Sequence, residues 1–132
     1  MTRENYSVLL VEDDSAIAEL YGFRLRMDGI RVHIAEDAAT AQVIFAKAQP
    51  AVVCVDARLR DRSGLGLASE LARGGAAVIL LTNDQPSYEA PPPGVRLALL
   101  KARTTPDQLA RHIARLAAGV GVSPSPAPRP PG

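Results

Sequence analysis

The chain is poor in residues that mark several protein classes. Its 132 residues include one cysteine, Cys54, no tryptophan and only 4% aromatic side chains. One thiol excludes an intramolecular disulfide, and with two distant histidines, His33 and His112, it leaves too few ligands for a zinc centre. Charge of one sign is lacking too. Fifteen basic and 14 acidic residues give a formal net charge of +1, so no broad field favours nucleic acid or an anionic membrane. No apolar run approaches the roughly 20 residues needed to cross a bilayer. The stretch Met1 to Asn5 lacks the apolar core of a secretory signal. These absences lead to the expectation of a cytoplasmic protein that uses a local surface to recognise its partners, with no nucleic acid and no membrane among them. A glycine-rich loop ending in Lys and Ser or Thr is also missing, which removes a nucleotide-hydrolysing reading.

What is present, 47% hydrophobic and 22% charged residues, suits one globular domain with a buried core. The run Val8 to Val11 stops at Glu12, Asp13 and Asp14, as expected of a strand buried on both faces that ends in carboxylates. Ser15 reads as an N-cap, with Asp14 as a solvated first-turn acid. The helix from Ala16 to about Asp28 places Ile17, Leu20, Tyr21 and Leu25 at helical spacing before Gly29. Arg31 to Ala35 is a second strand. Asp37 caps a helix carrying Ala41, Ile44, Phe45 and Ala48 that ends before Pro50. Ala51 to Val55 delivers Asp56, with Cys54 as a small core residue. Leu65 to Arg73 is a short helix between Gly64 and Gly74, Ala77 to Leu81 a strand ending at Thr82, and Val95 to Leu100 a strand ending at Lys101. Thr105, Pro106, Asp107 and Gln108 form a strong helix start, and that helix runs to about Ala118. The stretch 119–132, with five prolines, reads as a disordered tail. Short strands alternating with helices imply an α/β, doubly wound, five-stranded parallel sheet.

Ligands of such sheets bind beyond the carboxyl ends of the strands, near the point where strand order reverses. Glu12, Asp13, Asp56, Thr82 and Lys101 all fall at strand ends. Three carboxylates in one basin repel each other, and a hard divalent cation such as Mg²⁺ relieves that repulsion. An aspartate beside Mg²⁺ can attack phosphorus if the charge on the transferred oxygens is neutralised, which an ammonium and a hydroxyl can do.

With these pieces in order, the chain resembles the response-regulator receiver family from Val8 to near Ala118. The resemblance rests on the acidic pair Glu12-Asp13 after VLLV, Asp56 after AVVCV with Gly64 and Leu65 downstream, Thr82 after AVILL, and Lys101 after LALL. It implies a flavodoxin-like sheet of order 2-1-3-4-5 spanning residues 1–118. It implies Asp56 as phosphoacceptor, Asp13 and Asp56 as direct Mg²⁺ ligands, Glu12 acting through water, and the Arg58 backbone carbonyl as a further ligand. Thr82 and Lys101 would bind the phosphoryl group. A histidine kinase or phosphotransfer protein would be the donor. The signal would pass by protein contact to a further protein, without an output domain, from a monomer or weak homodimer. Any chemistry would be limited to the domain's own phosphorylation and dephosphorylation.

Several positions depart from the family. Ala102 replaces the usual proline after the lysine; a cis bond there would cost about 2.5–4 kcal/mol, so a trans bond and a differently placed Lys101 are expected. Asn83 replaces a small residue after the switch threonine, and Ala98 replaces the switch aromatic. Between Asn83 and Gly94, prolines 91 to 93 preclude a full fourth helix, which is expected to be missing or reduced to a turn and to leave one side of the fifth strand exposed. The family's usual dimer face is then incomplete. A rival reading follows from these losses: an interaction module that keeps the fold but is not phosphorylated.

Overall fold

The computed structural model describes residues 6–121. Strands β1 (Ser7–Val11), β2 (Arg31–Ala35), β3 (Val52–Asp56), β4 (Ala77–Thr82) and β5 (Leu97–Leu100) form one parallel sheet in the order β2-β1-β3-β4-β5. Every residue of β1, β3 and β4 is buried, as their unbroken apolar runs require when both faces of a sheet are covered. Alternation splits those runs between two cores. Val8, Leu10, Val52, Cys54 and Ile79 pack beneath helices α1 (Ser15–Met27) and α5 (Pro106–Gly121). Leu9, Val11, Val53, Val55 and Leu80 pack beneath α2 (Ala38–Ala48) and α3 (Gly64–Arg73).

Local chemistry sets the helix ends. Asp37 caps α2 through the Thr40 amide. Thr105 and Gln108 exchange side-chain to backbone bonds of 3.1 and 2.9 Å, a capping box at the head of α5. At α1 the cap is Asp14 rather than Ser15: its carboxylate accepts from the Ala16 and Ile17 amides, and a charged acceptor outcompetes a hydroxyl at a positive helix end. Leu20, expected on the core face of α1, is 57% exposed, because α5 covers the Tyr21 and Leu25 side of that helix instead. Helix α5 continues to Gly121, past the expected end near Ala118, and the remaining tail, 122–132, lies outside the described residues.

The fourth helix is reduced, as the proline run requires. It is the five-residue α4 (Gln85–Glu89), started by Asp84 as N-cap with Pro86 in the first turn and followed within two residues by Pro91. All four residues of β5 are only half-buried, and the strand begins at Leu97 rather than Val95.

Candidate functional site

At the carboxyl ends of β1, β3, β4 and β5 lies a cavity of about 630 Å³, where the sheet order reverses between β1 and β3. Its walls include Glu12, Asp13, Asp56, Arg58, Thr82 and Lys101, so the residues singled out from the sequence share one pocket. One oxygen from each of Glu12, Asp13 and Asp56 can be chosen so that all three lie within 4.8 Å of one another.

Each side chain is fixed by its element. Glu12 follows β1, its amide bonding to the Ala35 carbonyl and its Oε2 accepting from the Asp14 amide at 3.1 Å. Asp56 ends β3 and is 5% exposed. Its Oδ1 accepts from the Arg58 amide at 3.1 Å. Gly64 passes so close beneath it that a Cβ there would meet the Asp56 carbonyl oxygen at 1.9 Å. Only glycine fits.

Lys101 follows the edge strand β5. Its Nζ donates to Asp56 Oδ2 at 2.7 Å and lies 2.8 Å from Glu12 Oε1, close enough for ion pairing. That Oε1 nevertheless accepts no aligned hydrogen bond, although it is buried. Burial pushes the Glu12 pKa up from 4.5 to about 7, with the Lys101 ammonium pulling it back and Asp56 adding repulsion. Burial works against the Lys101 charge, but the hydrogen bond to Asp56 and the close ion pair with Glu12 outweigh it and raise that pKa. The peptide bond before Ala102 is trans, as expected, yet Lys101 still reaches the carboxylates.

Thr82 ends β4, 1% exposed, and its hydroxyl is already engaged. It accepts from the Asp84 amide at 3.0 Å and lies 2.8 Å from the buried Ser87 Oγ of α4. Ser87 is a pocket-lining residue that the sequence reading missed. The signal for it was the pairing of Asp84 as N-cap with a small hydroxyl three residues on. Asn83, which stands where the family has a small residue, accepts a 2.8 Å bond from the Ala102 amide. Cys54 is buried, and burial raises its thiol pKa, consistent with a core role.

The donor set suits a hard cation. It is all oxygen and compact, and two of its three carboxylates, Glu12 and Asp56, are buried.

Fold and pocket together define a small doubly wound α/β domain with an acidic, lysine-bridged basin at its switch point. The chain belongs to the response regulator receiver domain family, whose model matches residues 8–111. Among curated relatives, it is 35% identical over 78 residues to TcrX of Mycobacterium tuberculosis, covering 58% of this chain and 33% of that protein. It is 34% identical over 77 residues to the sensory transduction protein RegX3 of Mycobacterium bovis, covering 58% of this chain and 34% of the relative. The match spans about a third of each relative's length. Among solved structures, a CheY-like receiver domain protein from Methanospirillum hungatei superposes with a TM-score of 0.76 at 22% identity, covering 88% and 96% of the two chains. The response regulator TrrA from Thermotoga maritima, solved in complex with Mg(2+)-BeF, superposes with a TM-score of 0.74 at 24% identity, covering 84% and 98%. Among the described residues, no helix is long and apolar enough to cross a membrane.

Proposed function

We propose that this domain accepts a phosphoryl group on Asp56 from a histidine kinase or phosphotransfer protein, with Mg²⁺ beside it, and signals by altered protein contact. The observation that carries this reading is the Lys101 ammonium, held 2.7 Å from Asp56 and 2.8 Å from Glu12 in a compact carboxylate cluster. The solved Mg(2+)-BeF complex of the structurally similar TrrA adds support by analogy. Asp13 and Asp56 would hold the metal directly, Glu12 through water, and Arg58 through its backbone carbonyl. When bound, the metal neutralises charge on the carboxylates and on the phosphoryl group being transferred.

In the transfer, an Asp56 carboxylate oxygen attacks phosphorus. The bond from phosphorus to the donor nitrogen breaks, its electron pair stays with the donor, and an acyl phosphate forms on Asp56. Lys101 pairs with a phosphoryl oxygen in place of the bare carboxylate. Thr82 donates its hydroxyl to another, which draws it from Ser87. The residue at position 98 is alanine, so no aromatic there relays the change; α4, tied to Thr82 through Ser87, is the element that responds. The chain acts as a signalling module whose only chemistry is on itself.

The test is incubation with Mg²⁺ and a small phosphodonor, followed by intact mass measurement. A gain of one base-labile phosphoryl group, abolished by Asp56→Asn, is expected. Absence of any adduct overturns the proposal and leaves the non-phosphorylated interaction module.

A further inference from the structure

The strand ladder between β4 and β5 ends at the pair Thr82 and Leu100, just short of the lysine that must reach the pocket. Past that pair the backbone of β5 turns into a short 3₁₀ segment, Lys101–Arg103, and no further backbone ladder bond holds it to β4. One side chain supplies the missing rung. Asn83 Oδ1, on the residue that follows Thr82, accepts from the Ala102 amide at 2.8 Å. Lys101 is thereby bracketed, with the last ladder pair on one side and the Asn83 bond on the other. Two more bonds close the turn from behind: Thr104 Oγ1 donates to the Leu100 carbonyl at 2.8 Å, and the Tyr21 hydroxyl of α1 donates to the Thr104 carbonyl at 3.0 Å. Of these, only the Asn83 bond ties the lysine turn directly to the end of β4.

We infer that Asn83 is a positioning residue for phosphoryl transfer: by holding the Ala102 amide it fixes the backbone of Lys101 relative to Thr82, so that ammonium and hydroxyl converge on one phosphoryl group. This rests on the reading of Asp56 as phosphoacceptor. The physical case is one of reach. Lys101 extends a long, four-carbon side chain into the pocket, and freedom in its backbone would be spread over every atom out to Nζ, whereas charge stabilisation in the transition state depends on placement within a fraction of an ångström. Ala102 leaves an amide hydrogen free to be captured, and Asn83 offers a carbonyl oxygen at the matching height. Asn83 lines the same pocket, but its side-chain oxygen is turned to the Ala102 amide and not to the carboxylates, so its contribution can be read apart from metal binding.

The experiment compares wild type, Asn83→Ala and Asn83→Asp, the last keeping an oxygen acceptor at the same place. Three quantities are read: the phosphorylation rate with a small phosphodonor and saturating Mg²⁺, the affinity for Mg²⁺ alone, and hydrogen exchange at the Ala102 amide. Asn83→Ala is expected to slow phosphorylation several-fold and to speed Ala102 exchange, with Mg²⁺ affinity unchanged. Asn83→Asp is expected to restore slow exchange and most of the rate. A wild-type rate in Asn83→Ala, or an Asn83→Asp variant as slow as Asn83→Ala despite protected exchange, overturns the positioning role while leaving the phosphoacceptor reading intact. No adduct on wild type overturns both.

Discussion

The hydroxyls of Thr82 and Ser87 lie 2.8 Å apart, both buried, at the junction of β4 and α4. Ser87 Oγ also bonds to the Asp84 carbonyl at 3.2 Å, and its amide to the Asp84 carboxylate at 3.0 Å. A five-residue helix has almost no stability of its own, so these bonds and Asp84 hold α4 in place. If Thr82 turns towards a phosphoryl group, α4 loses one of them. Amide exchange within Gln85–Glu89 should therefore speed up on phosphorylation, and Ser87→Ala should show fast exchange in both states and a stability loss of about 1 kcal/mol. Unchanged α4 exchange on phosphorylation would remove α4 from the signalling route.

Lys101 compensates two buried carboxylates at once, its own side chain being 17% exposed. Lys101→Met leaves Asp56 and Glu12 facing each other without a cation, at a cost of about 3 kcal/mol near pH 8 in the absence of metal. Near pH 5 the loss should be smaller, because Glu12 then takes up a proton. Phosphorylation should also fall sharply. Urea unfolding in a chelator at both pH values checks the first claim: an equal loss at pH 5 and pH 8 would show that charge compensation is not what Lys101 provides.

Glu12 sets a pH dependence of its own. Burial, partly offset by Lys101, raises its folded pKa from 4.5 to about 7. Between those values the folded protein holds more protons than the unfolded chain, so stability is greatest at the acid end of the window and falls as pH rises through it. A carboxyl displaced that far corresponds to a destabilisation on the order of 3 kcal/mol, complete only above pH 7. Glu12→Gln should flatten the profile and exceed wild type in stability at pH 8 without metal. Denaturant unfolding at several pH values in a chelator reads this directly. A wild-type stability that climbed across the window would contradict it.

Mg²⁺ should reverse that penalty. A ligand that binds only the folded state stabilises it by RT ln(1 + [L]/Kd), about 2.7 kcal/mol at a concentration of about 100 Kd. The gain should be greatest above pH 7, where Glu12 is ionised, and should be largely lost in Asp13→Asn and Asp56→Asn. Thermal unfolding with and without Mg²⁺ at pH 6 and pH 8 decides it, a metal-independent melting temperature being the adverse result.

How much of this was legible in the sequence follows the range of the forces involved. Val8 to Val11, Val52 to Val55 and Ala77 to Leu81 are apolar runs whose burial decides their structure, so the sheet was readable. The caps at Asp37 and Thr105 were too, because donor and acceptor are three residues apart. Even the shortened α4 followed from its prolines. Contacts between distant residues were not readable. The Asn83 to Ala102 bond spans 19 positions and the Tyr21 to Thr104 bond spans 83, and each depends on which strand ends are neighbours in space. The exposure of Leu20 likewise depends on where α5 lies, not on the periodicity of α1. The choice of Asp14 over Ser15 as cap shows a narrower failure: adjacent candidates differ by one residue, and electrostatics at the helix end decides between them.

Two glycines two residues apart should respond to alanine with opposite signs. At Gly64 an added Cβ would stand 1.9 Å from the Asp56 carbonyl oxygen and 3.0 Å from Ala57 Cα, all backbone, at a position that also donates its amide to the Ala57 carbonyl. Nothing there can move without displacing Asp56, so Gly64→Ala should cost about 3 kcal/mol or more and blunt phosphorylation with it. Gly66 is exposed inside α3, and its Cβ would meet only the end of the Arg62 side chain at 3.0 Å, a flexible group whose surface ion pair with Glu70 is worth little if it shifts. There the alanine's lower backbone entropy should dominate, stabilising the protein by about 0.5–1 kcal/mol with the phosphorylation rate unchanged. Measuring the unfolding free energy and phosphorylation rate of both variants tests whether the close packing beneath Asp56, rather than glycine content in α3, is what places the phosphoacceptor; equal losses in the two variants would count against it.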